Sequence, residues 1–112
     1  MRRIVLGMAL AAGFVNAHAD DDGFTAADVL GWDQKSQNSY FETSISMAGV
    51  LASQSKNPAV HCIDDWYFGS AGHKSRVNDE IRATMQQYPD YYPATVIVAV
   101  IERECGSLTI SK

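Results

Sequence analysis

The side chains of this 112-residue chain with most chemistry to offer are concentrated in one segment, His61-Cys62-Ile63-Asp64-Asp65-Trp66-Tyr67-Phe68-Gly69-Ser70-Ala71-Gly72-His73-Lys74. His61, Cys62, Asp64, Asp65 and His73 are all metal-ligand types, but their spacing matches no zinc pattern. A His–Asp pair drawn from the same set has no credible nucleophile. Ser70 is the only nucleophile candidate nearby, and no G-x-S-x-G turn presents it. A catalytic thiolate needs a basic, exposed setting, whereas Cys105 ends an apolar run between Glu104 and Gly106. These residues therefore predict neither enzyme activity, nor a metal, nor a cofactor. Binding is the chemistry left to them. Asp64, Asp65, Trp66 and Tyr67, with Ser70 and His73 in the glycine-bearing loop, make a candidate contact surface for a protein partner, since Trp and Tyr are favoured anchors. The competing reading turns some of Ile63, Trp66 and Phe68 inward, held near the core by Cys62. The residues alone leave both open.

The elements that must position this segment are legible in part. Thr25 with Asp28 forms a capping box for a short helix from Phe24 to Leu30, with Phe24 placed to staple onto Val29. Ser39-Tyr40-Phe41-Glu42 is a second S-x-x-E box. Phe41, Ile45, Ala48 and Ala52, with Leu51 beside them, give a helical face running to about Ser53. The small residues Ser44, Ser46, Ala48, Gly49 and Ala52 suit close packing of another helix, or the seam of a homodimer. Gln54 to Ala59, with Asn57-Pro58, makes a loop. Ser75 is placed to cap a helix carrying Val77, Ile81, Met85 and Tyr88 on one face, with Arg76, Arg82, Gln86 and Gln87 solvated.

The longest apolar run outside the N-terminal segment, Ala94 to Ile101, is β-branched and favours a strand by propensity. Its ends favour a helix: Pro93 suits a first helical position and Gly106 a left-handed stop. It is predicted as the buried central helix, with a core strand as the alternative. The fold class expected is thus all-α, a small bundle of about four helices with one disulfide. Residues 107–112 show no evident task.

Arg2 and Arg3 precede an apolar segment from Ile4 to Val15, and Ala17-His18-Ala19 has the form of a cleavage site. That is the layout of a secretory signal peptide over residues 1–19, too short for a membrane span. The arginine pair lacks a fuller twin-arginine motif, so Sec export to the periplasm is expected, leaving a single helical domain over 20–112. The Asp20–Asp22 triplet reads as a solvated end, because calcium ligands are spaced around a loop. Removing Arg2 and Arg3 leaves 7 basic against 13 acidic side chains, about −6. An acidic chain is a poor partner for nucleic acid or an anionic membrane. In an oxidising compartment two cysteines default to a disulfide, and closing the Cys62–Cys105 loop stabilises by roughly 4 kcal/mol in the chain-entropy model.

Several short motifs resemble the exported immunity proteins of type VI secretion amidases, the Rap/Tai type. They are Met47-Ala48-Gly49-Val50, Cys62, Ser75 with Ile81, Tyr88-Pro89, Ala94 to Ile101, and Cys105. The chain departs from that family in lacking a further cysteine pair between Trp32 and Leu51, and in a longer, more aromatic loop over 64–74. The resemblance implies a helical periplasmic protein, often dimeric, that occludes the catalytic cleft of a peptidoglycan-cleaving amidase. A second expectation comes from similarity in size and disulfide to HdeA-type periplasmic acid-stress chaperones. A structural periplasmic protein without inhibitor activity is the third.

Overall fold

The β-branched run is a helix. In the computed structural model, which describes residues 23–109, it forms the last of five α-helices. These are α1 (Ala26–Leu30), α2 (Gln34–Gln54), α3 (Ala59–Trp66), α4 (Ala71–Gln87) and α5 (Pro93–Cys105). The expected leader 1–19 and the Asp20–Asp22 triplet lie outside the described residues. Pro93 opens α5, and Gly106, at φ 91°, closes it in a conformation that a side chain would resist. Val96, Ile97, Val100 and Ile101 are buried, and α5 packs against each of the other four helices. Burial of that stripe outweighs the weak strand preference of its residues.

Not all of the apolar run is buried, since Val98 is exposed. The reason is the shape of the molecule. Its Cα atoms span 42 × 40 × 18 Å, about two helix layers at the usual 8–10 Å interaxial distance. In a slab that thin even the central helix keeps one side to water. Leu51 of α2 is likewise exposed, while Phe41, Ile45 and Ala52 line the core.

Three boundaries differ from the sequence-based expectation. Helix α2 starts at Gln34, not near Ser39, because Asp33 caps it through Ser36 N–H (3.2 Å). The Ser36 hydroxyl also donates to Asp33 (2.9 Å), and this bond first, with the backbone one, holds the Asp33 carboxyl below its usual pKa. The polar stretch after Asp33 is helical because Gln37 is spent locally. Its buried side-chain amide donates to the carbonyls of Val29, Leu30 and Trp32 (3.1–3.2 Å), sealing the end of α1. Helix α4 starts at Ala71, with Ser70, not Ser75, as its cap. Between them α3, where the sequence predicts loops over 54–59 and 64–74 and no element between, is an additional helix. Asn57 Oδ1 accepts from Ala59 N–H (2.9 Å) at its start, so the Asn-Pro pair both ends one helix and begins the next.

At eight residues α3 is too short to persist by propensity. It is held by Ala59, Ile63 and Trp66 in the core and by the Cys62–Cys105 disulfide, whose Cα atoms are 5.5 Å apart. Ser107 and Leu108, expected to have no evident task, do take part in the fold. Leu108 packs partly buried on the core, its N–H donates to Glu102 (2.9 Å), and Asn57 Nδ2 donates to the Ser107 carbonyl (3.0 Å). At the other end, the expected capping box is present. Thr25 and Asp28 exchange bonds of 2.8 and 3.3 Å, and Ala26 N–H and Ala27 N–H reach the carbonyls of Tyr91 and Pro89. Helix α1 is therefore pinned to the α4–α5 connection. Phe24 itself stacks on Trp32, centroids 5.7 Å apart.

Candidate functional site

The aromatic run sits where α3 ends and the chain turns into α4. Its inward reading is the one realised. Trp66, the last helical residue, is 6% exposed and Tyr67 is fully buried, while Phe68 stays 37% exposed at the rim. Successive residues on a helix diverge by about 100°, so three adjacent aromatics cannot share a face. Two fill the core and the third is left outside. An exposed knob made of Trp66 and Tyr67 is thereby ruled out.

Tyr67 is anchored by its hydroxyl, which donates to Asn78 Oδ1 of α4 (2.8 Å). Burial pushes its phenol up to about 12, so it remains a neutral donor throughout the ordinary pH range. Phe68 meets the Tyr67 ring edge-on at 4.8 Å. Lys74 Nζ lies 5.9 Å from the Tyr67 ring and 5.5 Å from that of Phe68, within cation–π range.

The turn between the helices is tight. A Cβ on Gly69 would run into the Asp65 carbonyl and lie 2.8 Å from His73 Nδ1. Both groups are already engaged, since His73 Nδ1–H donates to that same carbonyl (2.9 Å). Ser70 is engaged too, its hydroxyl accepting from His73 N–H (3.1 Å). Of the residues singled out from sequence, Asp65, Ser70 and His73 are thus brought together as a structural corner. Asp64 and Asp65 present their carboxylates to solvent on α3. Cys62 and Cys105 are joined, as expected. Among the described residues no group of three or more His, Cys, Asp or Glu is placed to hold a metal.

The concave feature beside this corner is a groove of about 450 Å3 between the first half of α2 and α4, closed at one end by Phe68 and Ser70. One wall carries Gln34, Asn38 and Glu42; the other carries Lys74, Asn78 and Arg82. Lys74 pairs with Glu42 across it (3.3 Å). Arg82 was expected in solvent, yet its side chain is only 17% exposed. Its guanidinium lies 5.8 Å over the Phe41 ring and donates to Asn38 (2.8 Å), Gln37 (3.3 Å) and Asp79 (2.6 Å). Sequence reasoning missed this groove, although a signal exists. Gln34, Asn38 and Glu42 recur every four residues, as do Lys74, Asn78 and Arg82, so two helices each carry a polar row that can only face the other if it does not face water. Compared with known proteins, the chain matches no family model, no curated protein and no solved structure.

Proposed function

We propose that the protein is an exported, non-catalytic binding protein of the immunity type, which occludes the cleft of a peptidoglycan amidase. The contact surface is the α2–α4 groove with Phe68 at its rim, together with the exposed Asp64 and Asp65 of α3. Trp66 and Tyr67 support this surface from beneath and are not part of it. The observation that carries the reading is the groove itself, a polar concavity on a scaffold whose only cysteines are joined in a disulfide. The disulfide is consistent with an oxidising compartment, and no helix among the described residues is long and apolar enough to cross a membrane. An aromatic rim residue surrounded by polar groups is a favoured anchor for a protein partner.

The experiment is a binding and inhibition assay against an exported cell-wall amidase encoded beside this chain. Tight binding with loss of amidase activity is expected. Phe68→Ala and Lys74→Glu should each weaken binding at least about tenfold, equivalent to about 1.4 kcal/mol, with Trp32→Ala close to wild type. Absence of binding, or groove variants indistinguishable from wild type, would remove the reading.

The acid-stress chaperone is the second reading, favoured by one observation. Two of the ties between helices, Glu42–Lys74 from α2 to α4 and Glu80–Arg103 from α4 to α5, are carboxylate ion pairs. Protection of aggregating clients confined to about pH 2–3, with a molten, surface-exposing state there, would select it over the inhibitor.

A further inference from the structure

Asn78 is the one polar side chain in the groove that is both buried, at 5% exposure, and half satisfied. Its Oδ1 accepts from Tyr67, which fixes the amide orientation because the buried phenol must donate somewhere. Its Nδ2 then has two N–H groups and no acceptor among the described residues. A buried amide donor without a partner is costly unless something from outside supplies an acceptor.

The remaining groups say what that acceptor is. Lys74 and Arg82 are the cations of the groove, with side chains 34% and 17% exposed. Their counter-ions Glu42 and Asp79 stand further out, at 47% and 68%. Asp79 is not among the residues that line the groove, so the lining carries two cations against one carboxylate, Glu42, and is net positive although the chain as a whole is acidic. Ser75 on the same wall adds a hydroxyl, and the positive end of α4 lies at the same place. Glu42 limits the charge that can enter. It lines the groove itself, so a doubly charged group would meet a like charge beside Lys74. Donors in excess, a net positive interior and one acid in the wall fit a planar monoanion.

We propose that the groove is a receptor for a single carboxylate, which accepts from Asn78 Nδ2 and is held by Lys74 in the field of Arg82. The source is an aspartate or glutamate side chain, or a chain terminus, of the partner protein. Phe68 packs against the stem that carries it. This assignment of source rests on the inhibitor reading; the site does not, and it can be tested without any partner.

The test is an NMR titration of the disulfide-bonded protein with sodium acetate, following the Asn78 side-chain amide. Sodium chloride at matched ionic strength and sodium phosphate are run in parallel. Acetate should shift the Asn78 amide resonances saturably, chloride should not, and phosphate should act more weakly than acetate. Lys74→Gln, a substitution at a partly exposed position that leaves the core intact, should weaken the acetate response at least tenfold without altering the Tyr67–Asn78 contact. An Asn78 amide that ignores acetate, follows chloride equally, responds more strongly to phosphate, or is indifferent to Lys74→Gln would overturn the proposal. Saturable acetate binding in a protein that binds no amidase would sustain the site and remove only the inhibitor reading. Amidase binding with an Asn78 amide blind to acetate would do the reverse.

Discussion

Two aromatic trios in this molecule are built in opposite ways. Phe24, Trp32 and Tyr40 are far apart in sequence and meet on the surface around α1 and the start of α2, with centroids 5.7 to 6.1 Å apart. Phe24 and Trp32 remain 42% and 39% exposed. Trp66, Tyr67 and Phe68 are adjacent in sequence, yet two of them are core and only the third reaches water. Aromatics spaced along the chain can be gathered on one face by the turns that flank a short helix, whereas adjacent ones are forced apart as the backbone winds. A conspicuous run in the sequence is therefore weaker evidence for an exposed patch than a scattered set. The second trio contributes to function through what it supports: Tyr67 holds Asn78, and Asn78 lines the groove.

The sharpest way to break this contrast is truncation. Trp66→Ala should cost about 4 kcal/mol of unfolding free energy, as emptying a buried aromatic site does. Trp32→Ala should cost about 1 kcal/mol, the scale of an exposed ring pair. Urea melts of the two variants measure both, and comparable losses would abolish the distinction. Next in size is the clamp on the short helix that carries the second trio. Replacing Cys62 and Cys105 by serine, or reducing them, should cost up to about 4 kcal/mol, and hydrogen exchange should show α3 released before α2.

A smaller effect separates the ring of Tyr67 from its hydroxyl. Tyr67→Phe keeps the ring but leaves Asn78 Oδ1 without its donor, a loss of about 2 kcal/mol. The same hydroxyl dictates the alkaline behaviour. In the unfolded chain the phenol ionises near 10, but in the fold burial holds it neutral to about 12. The stabilisation is thus complete below pH 10 and is lost as pH rises from there through about 12. Thermal melts should fall more steeply across that window in the wild type than in Tyr67→Phe. A residual slope should remain in the variant, because burial also raises the Tyr40 pKa.

Much of this architecture was readable from residue order, and the exceptions share a cause. The helix over Pro93–Cys105, the Thr25–Asp28 box and the core residues Phe41, Ile45, Val77, Ile81 and Met85 all follow from local signals that tertiary packing reinforces, while the disulfide follows from the chain having two cysteines. Helix α3 was hidden because its stability comes from Cys105 and the core, neither of which is local to it. The true caps Asp33 and Ser70 were passed over for Ser39 and Ser75, which sit in equally good cap sequences but inside helices. The groove was illegible because Arg82 looks like any surface arginine until Phe41 and Asn38 are brought beneath it.

The chain has two tryptophans, and that makes the inward packing of the aromatic run directly measurable. In Trp32→Phe the only emitter is Trp66, and in Trp66→Phe it is Trp32. Acrylamide quenching of the folded proteins should be several-fold weaker for Trp66, with bluer emission, than for Trp32. Equal quenching of the two, or a Trp66 that quenches as readily as in the unfolded chain, would contradict the account at its centre.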